Sequence, residues 1–326
     1  MGRPETREMN VPDSSPIPVV PDHELLRMIG SGSSGQVWLA RNAIGAHRAV
    51  KVVYEKWFRQ RRPFEREFNG ILKFEPVSRL HDGLVDILQV GRNEAAGYFY
   101  CVMELADDAI TGSRIDPLTY SPRTLGHDLA RLGRLPIAEC VRLGAAIASA
   151  LGFLHQHGLI HRDIKPANII FVNGQPKLAD IGLVTDIAEG RAAVGTEGFI
   201  PPEGSGTVRA DIYSLGKVLY EISTGKDRNE YPALPESLGS RAETRDLVLL
   251  NKIIFKACRL KTWHRYASAE DMMLALLAFQ FSKESLRQQE TSHLLSRIFS
   301  LVGTLVAVGI VIGCLWRFYW LIHHGN

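Results

Sequence analysis

The sequence is poor in cysteine and in net charge, and each shortage removes a class of function. Its four cysteines, Cys101, Cys140, Cys258 and Cys314, are scattered with no C-x-x-C spacing. This argues against a disulfide framework and a zinc site, and suits a reducing compartment. A formal net charge of +3 is too mild for a nucleic-acid partner. The charged stretch from Lys56 to Arg66 contains Glu65 and is flanked by Glu55 and Glu67, as on a solvated helix face. Residues 1–22 are polar and proline-rich rather than basic and then apolar. They read as a disordered tail and not as a secretory leader. With 45% hydrophobic and 22% charged residues in 326, the rest has a globular composition and length enough for two lobes.

What is present centres on His161 to Asn168, HRDIKPAN. Asp163 can accept a proton from an attacking hydroxyl, Lys165 can neutralise charge on a phosphoryl group, and Asn168 offers an amide oxygen to a hard cation. Asp180 follows twelve residues after Asn168. The NIIFV and PKLA runs between them read as two strands about a turn at Asn173 and Gly174, a hairpin that sets Asn168 and Asp180 side by side. Upstream, Gly30-Ser31-Gly32-Ser33-Ser34-Gly35 lies between two strands rather than before a helix, which disfavours a dinucleotide fold. Lys51 follows in the strand HRAVKVV.

Together these residues resemble the eukaryotic-type (Hanks-type) serine/threonine protein kinases, of the bacterial membrane-anchored kind, whose H-R-D-x-K-x-x-N and D-F-G signatures they match. The resemblance covers Leu25 to Leu277. It implies an α+β, bilobal protein kinase fold: an N-lobe and hinge over 23–106 and a mainly helical C-lobe over 107–281. Lys51 would hold the α and β phosphates of ATP and be oriented by Glu67, in preference to Glu65, from a helix with an apolar stripe of Phe64, Phe68, Ile71 and Leu72. Asp163 and Lys165 complete the expected catalytic set; Asn168 and Asp180 would bind Mg2+. The nucleotide pocket is expected from Ile29, Gly30, Gly32, Gly35, Val37, Ala49, Lys51 and Met103. The backbone of Glu104 and Ala106 would meet the adenine edge. Lys165 implies a serine or threonine hydroxyl on a protein as acceptor.

Further expectations follow from the same resemblance. Ile181 replaces the usual phenylalanine after the metal-binding aspartate, altering the balance of on and off conformations. Thr196 falls where the family bonds its catalytic aspartate and lysine, which leaves Thr185 as the one candidate activation-segment phosphosite and predicts weak or absent switching there. Glu203 should pair with Arg265. Asp211 should cap its helix and brace the catalytic loop. Asp107, Asp108 and Asp116 read as solvated loop acids, and His155 and His157 as helix-end residues.

Beyond a basic linker over 282–297, the run from Ile298 to Trp316 is nineteen residues without a charge. At the helical rise it spans roughly 28 Å, the thickness of a bilayer's hydrocarbon. It reads as a single transmembrane helix, with Trp316, Phe318, Tyr319 and Trp320 at the far interface and a short tail over 317–326. Lys283, Arg287 and Arg297 before it favour a cytoplasmic kinase domain at the cell membrane. Two rivals stand beside this reading: a nucleotide-binding pseudokinase scaffold and a small-molecule phosphotransferase. Nothing in the pattern bears on oligomeric state.

Overall fold

Five antiparallel strands form the first lobe in the computed structural model, which describes residues 17–32, 35–180, 185–186, 195–235, 240–281, 313 and 316. The order is β1 (His23–Gly32), β2 (Gly35–Asn42), β3 (His47–Tyr54), β5 (Tyr98–Met103), β4 (Ile87–Asn93). Directly opposed residues share a face of a sheet. The pairs Val37 with Lys51, Lys51 with Cys101 and Ala49 with Met103 therefore place one continuous surface under β2, β3 and β5. On the other face, Val50, Val52, Tyr54, Tyr98, Tyr100 and Val102 form an apolar cluster that also takes in Val20. Val19 is pinned beside it, its carbonyl accepting from Tyr98 Oη at 2.8 Å and its amide donating back at 3.0 Å. Val19 and Val20 are thus held against the sheet, so a disordered tail extending through Asp22, as expected, is not what the described residues show.

Helix α1 (Arg61–Ser78) lies beside this sheet. Phe64, Ile71 and Phe74 are buried on it, and Phe64 and Phe68 meet Phe99 at ring distances of 5.0 and 5.2 Å. Leu72, expected in the stripe, is exposed; Phe74 takes its place, three residues on from Ile71, on the face that meets the sheet.

The second lobe is built on α2 (Leu125–Leu132), α3 (Ile137–Gln156), α4 (Val208–Thr224), α5 (Arg241–Ala257) and α6 (269–281). Helix α3 is apolar because it is core: Leu143, Ile147, Leu151 and Leu154 are all buried, as their spacing predicts. It alone among the described residues is long and apolar enough to cross a membrane. Helix α4 is buried from Ala210 to Thr224, and Gly216 lets Cys258 and Ala257 approach its backbone. Between α3 and α4 run β6 (Leu159–Ile160), the hairpin β7 (Ile169–Val172) and β8 (Gln175–Leu178), and β9 (Thr185–Asp186), which pairs with β6. Cys101, Cys140 and Cys258 are buried, unpaired thiols. Burial pushes each up to about 12, so none is a nucleophile at neutral pH.

A separate unit comprises residues 278–326. Of the apolar run from Ile298 to Trp316, only Gly313 and Trp316 are among the described residues, both helical. The linker, the remainder of that run, Ile181, Ser33 and Ser34 lie outside them.

Candidate active site

The turn between β1 and β2 closes on the pair Gly32 with Gly35. Gly35 is at φ +131°, and a Cβ there would sit 2.8 Å from the Val52 carbonyl oxygen and 3.3 Å from Lys51 Cε. Glycine is therefore required at Gly35 by the protein's own packing. Among the described residues, a Cβ at Gly32 would meet nothing within 4 Å, so the protein's own packing does not demand glycine there. Ile29 is the extra residue in a bulge between the pairs Met28 with Trp38 and Gly30 with Val37, half-buried beside the turn. Val37, Ala49, Lys51 and Met103 share the sheet face derived above.

Lys51 is only 3% exposed. Its Nζ lies 2.7 Å from Asp180 Oδ1 and 3.4 Å from Glu67 Oε1. Burial alone would lower the pKa of this ammonium; the Asp180 and Glu67 carboxylates outweigh it and hold the group above its ordinary value. Glu65 has another occupation. It pairs with Arg92 at 2.7 Å and Arg61 at 2.9 Å, and Arg92, then Arg61, hold its carboxyl down at about 2. The choice of Glu67 as the lysine's partner is the one the structure makes.

Asp163, Lys165 and Thr196 form a closed triangle. Lys165 Nζ donates to Asp163 Oδ2 at 2.7 Å and to Thr196 Oγ1 at 2.9 Å, and the Thr196 hydroxyl donates to Asp163 Oδ1 at 2.7 Å. Asn168 spends its amide hydrogens on Asp163, at 2.8 Å to the carbonyl and 2.9 Å to Oδ2, so its side-chain oxygen is the atom that could meet a cation. The Asn173–Gly174 turn has both residues at positive φ, 51° and 74°, as a two-residue hairpin demands. Past the hairpin, Ala179 donates to the Asn168 carbonyl at 2.8 Å, bringing Asp180 level with Asn168. His161 Nε2 donates to the Ala179 carbonyl at 3.1 Å, joining the loop to the residue before Asp180. Asp180 and Arg162 both hold left-handed backbone, φ 56° and 72°, a strained geometry concentrated where these segments meet.

The loop is braced from α4. Asp211 accepts the amides of His161 at 2.8 Å and Arg162 at 2.9 Å, together with His155 Nε2 at 2.9 Å. Burial would raise this carboxyl, but the imidazole of His155 and the loop donors keep it below its ordinary value. Asp211 is not the helix cap; Thr207 is, its hydroxyl accepting from Ala210 at 3.1 Å. His155 is buried structure and no free helix end, whereas His157 donates to the Phe153 carbonyl as a terminal residue should. Glu203 and Arg265 form the expected ion pair, 3.0 Å between Nη2 and Oε2.

At the hinge, the Glu104 amide donates to Asp86 and the Ala106 carbonyl accepts from Tyr120 Oη. Among the described residues, no hydrogen bond takes up the Glu104 carbonyl or the Ala106 amide, one acceptor and one donor. Sequence reasoning missed what surrounds them. Asp107 and Asp108 are buried, not solvated: Asp107 accepts the amides of Asn173 and Gly174. Asp108 accepts those of Ile110, Thr111 and Ser121. Asp116 alone is a solvated loop acid as expected. Arg27 of β1 reaches over to the carbonyls of Pro117 and Tyr120. No spacing rule marks the contacts from Asp107 to the Asn173–Gly174 turn or from Arg27 to Pro117 and Tyr120, since these join segments 66 to 93 residues apart.

Comparison with known proteins agrees with this geometry. The family model described as the protein kinase domain matches residues 23–299. The DNA damage-responsive serine/threonine-protein kinase RqkA of Deinococcus radiodurans is 30% identical over 62% of this chain and 30% of its own length. PrkC, a serine/threonine-protein kinase of Bacillus subtilis, is 29% identical over 77% of this chain and 39% of its own. PknB, a serine/threonine-protein kinase of Mycobacterium leprae, is 31% identical over 78% and 42%. The chain thus spans less than half the length of these relatives. A two-lobed fold, a paired lysine under a glycine turn and a braced HRD loop, matched over residues 23–299, place this chain in the protein kinase family, among the Hanks-type serine/threonine kinases.

Proposed function

We propose that this chain is an ATP- and Mg2+-dependent serine/threonine protein kinase, anchored in the cell membrane by Ile298 to Trp316 with its kinase domain on the cytoplasmic side. The observation that carries the reading is the pairing of Lys51 with Glu67 and Asp180, joined to the Asp163–Lys165–Thr196 triangle through Asn168, which bonds Asp163 and accepts from the residue before Asp180.

The donor set fits a magnesium ion. Asn168 and Asp180 offer an amide and a carboxylate oxygen, a hard pair too small to complete a site without phosphate oxygens. Among the described residues no group of three or more His, Cys, Asp or Glu could hold a metal alone. When bound, the ion neutralises charge on the transferring phosphate. Lys51 positions the α and β phosphates, and the hinge donor and acceptor fix the adenine edge. Asp163 orients the acceptor hydroxyl, whose oxygen bonds to the γ-phosphorus as the bridge to the β phosphate breaks; its proton passes to Asp163. Lys165, already hydrogen-bonded to Asp163, offsets charge on the phosphoryl oxygens in flight.

Support for the anchor is compositional: nineteen uncharged residues, aromatic residues at the far end and arginines before the near one. Incubating the full chain with labelled ATP, Mg2+ and a protein substrate should give phosphoserine or phosphothreonine, and Asp163→Asn should give none. Nucleotide binding without transfer would favour the scaffold, and label on metabolites alone the small-molecule enzyme.

A further inference from the structure

Between Leu247 and Ala269 the chain has no carboxylate in twenty-three residues. This stretch is the end of α5 and the loop beyond it, and it folds into a shallow depression of about 600 Å³ lined by Lys252, Phe255, Lys256, Arg259 and His264. Lys261 adds a further cation on the same loop. None of these basic residues makes an ion pair with a described carboxylate, whereas Arg265, buried behind them, is spent on Glu203. Beside the cations, Leu260 is 74% and Trp263 67% exposed, and Phe255 is partly exposed at the rim. Lys261 Nζ stands over the Trp263 ring at 5.7 Å.

We propose that this face of the C-lobe docks on an anionic lipid surface. Charge complementarity requires a negative partner. The exposed tryptophan and leucine favour a bilayer over an acidic peptide, because an indole beside lysines is at home at the headgroup level, half in hydrocarbon and half in water. Basic groups near a negatively charged leaflet each add to attraction that salt screens away. The proposal rests on the membrane reading above for its proximity. Sixteen residues separate Phe281 from Ile298, a length that at full extension could reach no more than roughly 55 Å. Docking would orient the kinase crevice at a set height above the membrane.

The test is lysine acetylation footprinting by mass spectrometry on the full chain in vesicles of phosphatidylcholine, with or without about 30 mol% phosphatidylserine. Lys252, Lys256 and Lys261 should be protected about fivefold or more by phosphatidylserine, reversibly in about 0.5 M salt, with Lys73 on α1 as the unchanged reference. The double variant Lys256→Glu, Arg259→Glu should lose protection at Lys252 and Lys261 while keeping its unfolding midpoint, and Trp263→Ala should weaken it. Equal labelling in both vesicles overturns the proposal, as does protection by a polyglutamate peptide but not by phosphatidylserine. An alkaline carbonate wash of the same vesicles reports on the span independently: a chain that washes off refutes the anchor, and the footprint still decides the docking face.

Discussion

Asp107 Oδ2 accepts the backbone N–H of Gly174 at 2.8 Å, and its other oxygen takes that of Asn173 at 2.9 Å. A hinge residue thereby caps the turn of the hairpin whose two ends carry Asn168 and Asp180. Asp107→Ala leaves both amides without their carboxylate and should cost about 2–3 kcal/mol, from hydrogen bonds to a charged acceptor. Asp107→Asn keeps one acceptor oxygen and should cost less. Urea unfolding measures the first effect. The second readout is the Mg2+ concentration for half-maximal activity, which should rise severalfold in the alanine variant as the ends proposed to hold the ion loosen. A wild-type urea midpoint for Asp107→Ala would show that the cap contributes nothing.

The two glycines that close the β1–β2 turn should behave oppositely. At Gly35 the left-handed backbone and the nearby Val52 carbonyl penalise any side chain, so Gly35→Ala should destabilise by about 1–3 kcal/mol and lower the melting temperature by several degrees. At Gly32 a methyl group enters open space and stability should stay within about 0.5 kcal/mol. If Gly32 serves the phosphates, Gly32→Ala should instead raise KM for ATP. Differential scanning calorimetry with ATP-dependent kinetics separates the two.

The chemistry-bearing residues were legible in the chain because most lie on short local segments: HRDIKPAN is one loop, and an Asn-Gly turn between two apolar runs announces its own hairpin. The partner of Lys51 needed more, since Glu65 and Glu67 sit two apart on a helix and only the rotation of α1 against Phe99 decides which faces inward. Asp107, Asp108 and His155 were misread for one reason. A polar residue in a loop or at a helix end looks solvated until the segment that buries it arrives, and those segments are 66, 13 and 56 residues away. Thr207 was overlooked as a cap because Asp211, four residues on, is a good one by composition, yet its carboxylate is turned to the catalytic loop.

Asp108 makes the fold sensitive to acid. Burial opposes ionisation, but the amides of Thr111, Ser121 and Ile110 and the Thr111 hydroxyl hold the carboxyl at about 2. The unfolded chain's aspartate titrates near about 3.9. A lowered folded value means the stabilisation is present in full above the unfolded pKa and is lost as pH falls through the folded one. Stability should therefore decline between pH about 4 and about 2, and Asp108→Asn, less stable at neutral pH, should show a shallower decline across that window. Denaturant titrations at several pH values measure the slopes; parallel slopes would remove Asp108 from the account.

Thr196 tests whether the triangle positions Asp163 or merely accompanies it. Its hydroxyl donates to Asp163 Oδ1 and accepts from Lys165, so Thr196→Val takes one bond from each while keeping the shape of the side chain. Asp163 then has a freed oxygen and Lys165 a freer ammonium, and both lose definition at the moment the acceptor hydroxyl must be aligned. We expect kcat to fall about 10–100-fold, roughly 1.4–2.7 kcal/mol of transition-state stabilisation, with KM for ATP nearly unchanged because Lys51 and the hinge are untouched. Thr196→Ser restores the hydroxyl and should recover most of the loss. That recovery is the discriminating result: a structural role filled by the methyl group would be kept by valine and lost by serine, whereas a positioning role follows the oxygen.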